Sequence, residues 1–125
     1  MLVLPIKKKW FDMILSGEKK EEYREIKPYW MTRFKNVFQM YPYSYIPEED
    51  DVQEVIFRNG YSSKAPTFKA RCHLKLGKGK EEWGADPGKE YYILVIEEIV
   101  WKNTGCNNYC ANTLPVAKEE IKIEK

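Results

Sequence analysis

SGEKKEEYREIKPYW, residues 16–30, contains the end of one predicted helix, a complete strand and the start of a second helix. Gly17 stands where a left-handed C-cap ends a helix, and Pro28 suits the first turn of the next one. Between them, residues Lys20–Ile26 alternate between the two faces of a strand, and both faces carry charged side chains. A strand that packs on a core normally has one apolar face, so these charges need a structural or a functional explanation.

Two amphipathic helices are predicted on either side of this strand. The first runs from Lys7 to Ser16 and ends at Gly17, and its apolar stripe consists of Trp10, Phe11, Ile14 and Leu15. The second begins at Pro28, and its stripe consists of Trp30, Phe34 and Phe38. We expect both stripes to pack on the core.

The remaining strands are short apolar or alternating segments bounded by turn residues. They are Met1–Leu4, which Pro5 ends, Val52–Phe57, Phe68–Leu76 and Tyr91–Trp101. The last contains the nearly continuous apolar run YYILVI, which predicts a central strand. Because strands outnumber helices and no βαβ repeat occurs, we predict an α+β fold, a small and mostly antiparallel β-barrel with two packed helices.

Composition places the chain among globular proteins of one domain. Its 125 residues can bury a single core, and its 43% apolar and 32% charged residues exclude a disordered chain. No segment is long and apolar enough to span a bilayer, and the N-terminus lacks the pattern of a signal peptide, so we expect a cytoplasmic protein without a membrane partner.

Cysteine and histidine usage argues against disulfides and against a metal site. Cys72, Cys106 and Cys110 are an odd number, and we expect reduced thiols. Cys106 and Cys110 have CxxxC spacing, but the only histidine, His73, is far away in sequence and is expected to be structural. No phosphate loop, dinucleotide fingerprint or catalytic triad is present, so no cofactor is expected.

Basic residues cluster along the chain despite a net charge of +2. Residues 1–35 contain nine Lys or Arg against five acids, and residues 61–80 contain six bases and no acid. The folded surface could therefore have one positive face, or only patchy solvated charge. Lys7–Lys9 lie at the start of the first helix, where cations oppose the helix dipole, so they indicate an anion site unless they simply extend into solvent.

The charged strand offers a second candidate for anion binding. Glu22 and Arg24 lie on one face, and Lys19 lies in the turn before them. One hypothesis places all three at a cleft between the first helix and the sheet, where the carboxylate holds two cations for an anionic ligand. The alternative is a salt-bridge ladder on an edge strand, which protects that edge from aggregation.

Aromatic residues in predicted loops provide a possible stacking surface for nucleobases. They are Tyr41, Tyr43, Tyr45, Tyr61 and Trp83. Trp83 is the strongest candidate because it lies in a glycine-flanked loop next to Glu82. Alternatively, these rings only cover the ends of the barrel.

The spacing Gly17-x-Lys19-x-x-Glu22-x-Arg24 after ILSG resembles the signature of the ASCH domain family, part of the PUA-like superfamily. The resemblance extends to RNGY at 58–61 and EWGA at 82–85, and covers about residues 1–102, leaving 103–125 as an extension of unknown role. It implies a pseudo-barrel with a cleft lined by this motif, and binding of RNA or nucleotides. Together with the basic helix start and the loop aromatics, it gives the expected ligand-binding residues Lys7, Lys8, Lys9, Lys19, Glu22, Arg24, Arg58, Tyr61 and Trp83.

The same superfamily includes small hydrolases, which give the alternative function. Its N4-acetylcytidine amidohydrolases use a lysine, a threonine three residues later and a distal glutamate, and other members are ribonuclease-like. Lys19 matches the lysine, and Glu81 or Glu82 could match the glutamate, but Glu22 replaces the threonine nucleophile. Lys19, Glu22 and Glu82 would then be catalytic, with Glu22 as a general base on water. Between two cations, Glu22 is better suited to a structural clamp.

Overall fold

The structure, a computed structural model, describes residues 1–41 and 46–103. In chain order the elements are β1 (Val3–Ile6), α1 (Lys8–Leu15), β2 (Glu21–Glu25), α2 (Pro28–Lys35), β3 (Val52–Asn59), β4 (Thr67–Lys78), a 3₁₀ turn (Glu81–Trp83) and β5 (Glu90–Asn103). Within these residues the predicted α+β class, the two helices and the charged strand between them are confirmed. No helix in the described ranges is long and apolar enough to cross a membrane.

The strands form one mixed sheet in the order β1-β3-β4-β5-β2. β1 pairs with β3 in parallel, whereas the other three pairings are antiparallel. The predicted closure into a barrel is wrong, because within the described part of the chain β1 and β2 are the edges of the sheet and no ladder joins them. β1 and β2 are both short, and α1 begins two residues after β1 ends. Little extended backbone is therefore available for β1 and β2 to pair with each other. β5 lies inside the sheet, as its apolar run predicts.

β1 continues through Pro5, where the sequence predicted that it would end. The carbonyls of Leu2 and Ile6 accept hydrogen bonds from the N–H groups of Ile56 and Gly60, each at 3.0 Å. Alternation along the strand therefore turns the backbone of Pro5 away from β3. Proline lacks an N–H and is tolerated on the free side of an edge strand, so Pro5 does not interrupt the pairing.

The main core lies between one face of the sheet and both helices. Its buried residues are Leu4, Ile6, Phe11, Ile14, Phe34, Phe38, Val55, Phe57, Phe68, Ala70, Cys72, Leu74, Tyr92 and Leu94. The helical stripes are confirmed for Phe11, Ile14 and Phe34, whereas Phe38 is buried as expected but lies beyond the end of α2. Burial also raises the pKa of the Cys72 thiol to about 12. A smaller cluster on the other face contains Tyr23, Ala85, Tyr91 and Ile93.

The basic residues of β4 lie on the outer face of the sheet and are interleaved with carboxylates of neighbouring strands. The pairs are Lys69–Glu54 at 3.5 Å, Arg71–Glu98 at 3.8 Å, Lys75–Glu21 at 3.9 Å and a close His73–Glu97 contact. This strand therefore does not form a positive face, although residues 61–80 lack acids. His73 and the buried Cys72 point to opposite faces, as expected for neighbours in a strand.

Candidate ligand-binding cleft

The turn after α1 directs Lys19 into the protein. Gly17 adopts a φ of 86°, which L side chains rarely adopt, and the Lys19 N–H donates to the carbonyl of Met13 at 2.9 Å. The Lys19 side chain consequently lies between two aromatic rings, with Nζ 4.9 Å from the centroids of both Trp10 and Tyr23. Lys19 is only 1% exposed, so its ammonium group is a part of the interior.

Three acceptors surround the Lys19 ammonium group. Nζ donates to the carbonyl of Glu21 at 2.5 Å and to that of Trp83 at 2.8 Å, and it lies 3.2 Å from Glu22 Oε1. Burial lowers the pKa of Lys19, and the Glu22 carboxylate opposes that shift. Since an ammonium group has three protons to donate, the arrangement accommodates the charged form.

Glu22 connects Lys19 to Arg24. It is 5% exposed, and its second oxygen, Oε2, makes a close ion pair with Arg24 Nη1. The guanidinium group also donates from Nη1 to the Tyr23 carbonyl at 3.0 Å and from Nη2 to the Pro5 carbonyl at 3.1 Å. Lys19, Glu22 and Arg24 therefore form a continuous buried network, which we call the charged triad.

The charged triad lies between strands β1 and β2, which no backbone ladder joins among the described residues. The carbonyl of Lys20 accepts a hydrogen bond from the Ile96 N–H on β5. Because successive residues of a strand direct their backbone groups to opposite sides, the carbonyls of Glu21 and Tyr23 point away from β5. Lys19 and Arg24 bind these two carbonyls, and Arg24 continues to Pro5 on β1. The charges thus join the two edges of the open sheet. Their burial excludes the alternative of a surface salt-bridge ladder.

A cleft of about 540 Å³ opens beside the charged triad, at the junction of both helices and the edges of the sheet. Its lining residues are Pro5, Ile6, Lys7, Trp10, Glu22, Tyr23, Arg24, Tyr29, Trp30, Gly60, Tyr61, Trp83 and Gly84. The volume is within the range typical of small-molecule sites, and the walls are largely aromatic.

The predicted ligand-binding residues fall into two groups. Those that line the cleft are Lys7, Glu22, Arg24, Tyr61 and Trp83. Lys19 lies behind the lining, and the others lie elsewhere. Lys8 is exposed and pairs with Asp12 at 2.6 Å, and Lys9 is exposed beside the Trp10 ring. Arg58 is outside the lining, and its buried Nε has no hydrogen-bond partner among the described residues.

The two candidate distal glutamates, Glu81 and Glu82, are exposed in the 3₁₀ turn and are not among the lining residues.

Tyr41 is 52% exposed and also lies outside the cleft, while Tyr43 and Tyr45 are outside the described residues. Cys106 and Cys110 are outside the described residues as well. Among residues 1–41 and 46–103, no group of His, Cys, Asp and Glu side chains could hold a metal ion.

Sequence reasoning missed four of the six aromatic residues that line the cleft, namely Trp10, Tyr23, Tyr29 and Trp30. Trp10 and Trp30 were expected in the core but are half-buried, and Tyr29 is 52% exposed. For Trp10 and Trp30 the available signal was their position as the first residue of each predicted apolar stripe. A tryptophan at such a border packs one part of its ring on the core and leaves the rest accessible.

The loop that carries Trp83 is held at several points. The Lys80 N–H donates to Tyr23 Oη at 2.9 Å, and the Asp86 N–H donates to Tyr91 Oη at 3.0 Å. Gly84 has a φ of 104°, and a Cβ added there would lie 3.0 Å from Trp10 Cζ2. The wall formed by Trp83 and Gly84 is thus fixed against α1 and β2.

Tyr23→Phe should change how stability depends on alkaline pH. Burial raises the pKa of Tyr23 above its ordinary value of 10.0, so the folded protein keeps this proton where the unfolded chain loses it. The folded state then binds more protons, and the free energy of unfolding of the wild type falls as pH rises above 10.0. We expect a smaller fall in Tyr23→Phe, measured by urea denaturation from neutral to strongly alkaline pH. Parallel curves for the two proteins would contradict this assignment.

Comparisons with family models, with curated proteins and with solved structures give no match for this chain.

Proposed function

We propose that this protein is an ASCH-like domain that binds single-stranded RNA or a nucleotide in the cleft beside the charged triad. The observation that carries the proposal is the combination of aromatic walls and cationic side chains around one cavity of about 540 Å³. Nucleotides need both kinds of surface, because their bases stack on rings and their phosphates pair with cations.

Tyr61 and Trp83 are the best candidates for base stacking. Tyr61 is 89% exposed at the cleft, and its ring is therefore accessible to a ligand. Trp83 is held in place because its carbonyl accepts a hydrogen bond from Lys19 at 2.8 Å. A base that stacks on such a ring gains about 1–3 kcal/mol.

Lys7 and Arg24 are the best candidates for the phosphate. Lys7 lines the cleft directly before α1, whose first turn contains no acidic residue and whose N-cap makes no side-chain hydrogen bond. The N–H groups at this end of the helix and the Lys7 ammonium group favour an anion at the same place. Lys19, in contrast, would act through Trp83 and Glu22, since its side chain is buried.

A fluorescence titration with single-stranded RNA over a series of salt concentrations tests the proposal. We expect the affinity to fall steeply with salt, and Tyr61→Ala to weaken binding by about 5- to 100-fold through loss of a stacking surface. Lys7→Ala should lower the slope of log affinity against log salt by about one. Lys102→Ala is the control, because Lys102 is exposed and is not among the residues that line the cleft. Binding that is absent at low salt, or insensitive to salt, would contradict the proposal.

The second candidate function is hydrolysis of an N4-acylated cytidine or of RNA. It is favoured by one feature, the buried Lys19–Glu22 pair, in which burial lowers the pKa of the lysine. However, both oxygens of Glu22 are already bound, and Glu82 is outside the cleft lining. Turnover of N4-acetylcytidine that both Glu22→Gln and Lys19→Ala abolish would support this function over binding alone.

A further inference from the structure

The aromatic rings of the cleft already hold cations that belong to the protein. The contacts are Lys9 Nζ at 4.7 Å from the Trp10 centroid, the Arg33 guanidinium at 3.5 Å from Tyr29, the Arg24 guanidinium at 5.0 Å from Trp30 and Lys80 Nζ at 4.5 Å from Trp83. Each cation interacts with the negative face of its ring. The rings therefore have less capacity to attract another positive charge.

The Glu22 carboxylate in the cleft does not make the site attractive to a positively charged ligand. Of the described residues that line the cavity, Glu22 is the one with a carboxylate, and Lys19 and Arg24 bind its two oxygens. Lys7 adds a further positive charge to the lining. The charged side chains that line the cleft thus disfavour a cation, although a cavity with this many aromatic residues would otherwise suit one.

We infer that the cleft selects planar heteroaromatic rings that are neutral or anionic and rejects rings that carry a positive charge at neutral pH. The inference rests on the proposed function and concerns which nucleobases the site accepts. Several methylated nucleobases carry such a charge, whereas isomers methylated at another atom are neutral. Charge and size can therefore be separated in one experiment.

The test uses two pairs of isomeric nucleotides in fluorescence titrations at neutral pH. 1-Methyladenosine 5′-monophosphate is cationic at the ring, and N6-methyladenosine 5′-monophosphate is its neutral isomer. 3-Methylcytidine and 5-methylcytidine 5′-monophosphates form the corresponding pyrimidine pair. We expect the cationic member of at least one pair to bind about tenfold or more weakly than its isomer, because Lys7 and Arg24 line the cleft and further cations contact its rings. The expected order is the same whichever base binds better.

Removing one of the cations that contact an aromatic ring of the cleft tests whether these cations cause the expected selectivity. Lys80 is exposed, and its side chain contacts the Trp83 ring, so Lys80→Met should fold normally and should reduce the ratio between the two isomers by about two- to fivefold. Lys102 is exposed and is not among the lining residues, so Lys102→Met should leave the ratio unchanged.

Other outcomes distinguish this inference from the proposed function. Equal affinities within both pairs, or no nucleotide binding by a protein that still binds single-stranded RNA, would overturn the inference and leave the proposed function. Failure to bind either RNA or nucleotides would overturn both. Tighter binding of the cationic isomers would show an aromatic cage for cations and would also overturn the inference.

Discussion

Glu22→Gln is expected to lower the free energy of unfolding by about 3–5 kcal/mol, the range found when one member of a buried ion pair is removed. The carboxylate is 5% exposed and binds the buried Lys19 and the largely buried Arg24. Glutamine has nearly the same size, so packing is retained while the two cations lose their compensating charge. Urea denaturation followed by circular dichroism measures the effect.

Glu25→Gln is the matched control for this change. Glu25 lies on the same strand and is also bound by two cations, Lys89 at 2.9 Å and Lys27 at 3.1 Å. Its side chain is 51% exposed, so water and salt screen these pairs and the substitution should have little effect. Similar losses of stability in both variants would show that burial of the charged triad is not what makes Glu22 important.

Arg24→Lys is expected to lower the free energy of unfolding by about 2–3 kcal/mol and to weaken binding of single-stranded RNA by about tenfold. The guanidinium group reaches Glu22, the Tyr23 carbonyl and the Pro5 carbonyl together. An ammonium group on a lysine side chain is a compact charge that lacks this planar fork and cannot span the two edges. The cleft wall formed by Pro5 and Trp30 should then lose its support. Denaturation and RNA titration of the same preparation measure both effects.

Arg33→Lys provides a control of the same chemical type. Arg33 also lies over an aromatic ring, that of Tyr29, and donates to the Tyr29 carbonyl at 3.3 Å, but it is exposed and joins no strands. Its replacement should leave stability nearly unchanged. If Arg24→Lys were equally silent, bridging of the two edges by Arg24 would not be required for the fold or for the cleft.

The local features of the fold were predictable because they depend on near neighbours in the chain. Gly17 and Pro28 mark the helix boundaries correctly, and the alternation in Glu21–Glu25 places Glu22 and Arg24 on one face. The stripe of α1 identified Phe11 and Ile14 as buried. Each of these conclusions needs only backbone preferences and a period of 3.6 or 2.0 residues.

Features that depend on an element's neighbours in space were not predictable in the same way. Alternation shows that Glu22 and Arg24 share a face, but that this is the core face follows from pairing with Leu94 and Tyr92 on β5. Likewise, Pro5 ends a strand in most contexts, and it is accommodated here only because β1 is an edge.

The sequence by itself determined the order of helices and strands, the common face of Glu22 and Arg24, and the clustering of charge around residues 16–30. Only the tertiary structure decided that the sheet stays open, that the charged triad joins its edges, and that Trp10, Trp30 and Trp83 surround one cleft. The physical reason is distance along the chain. The buried ammonium group of Lys19 donates a hydrogen bond to the carbonyl of Trp83, 64 residues away, and no local pattern encodes such a pairing.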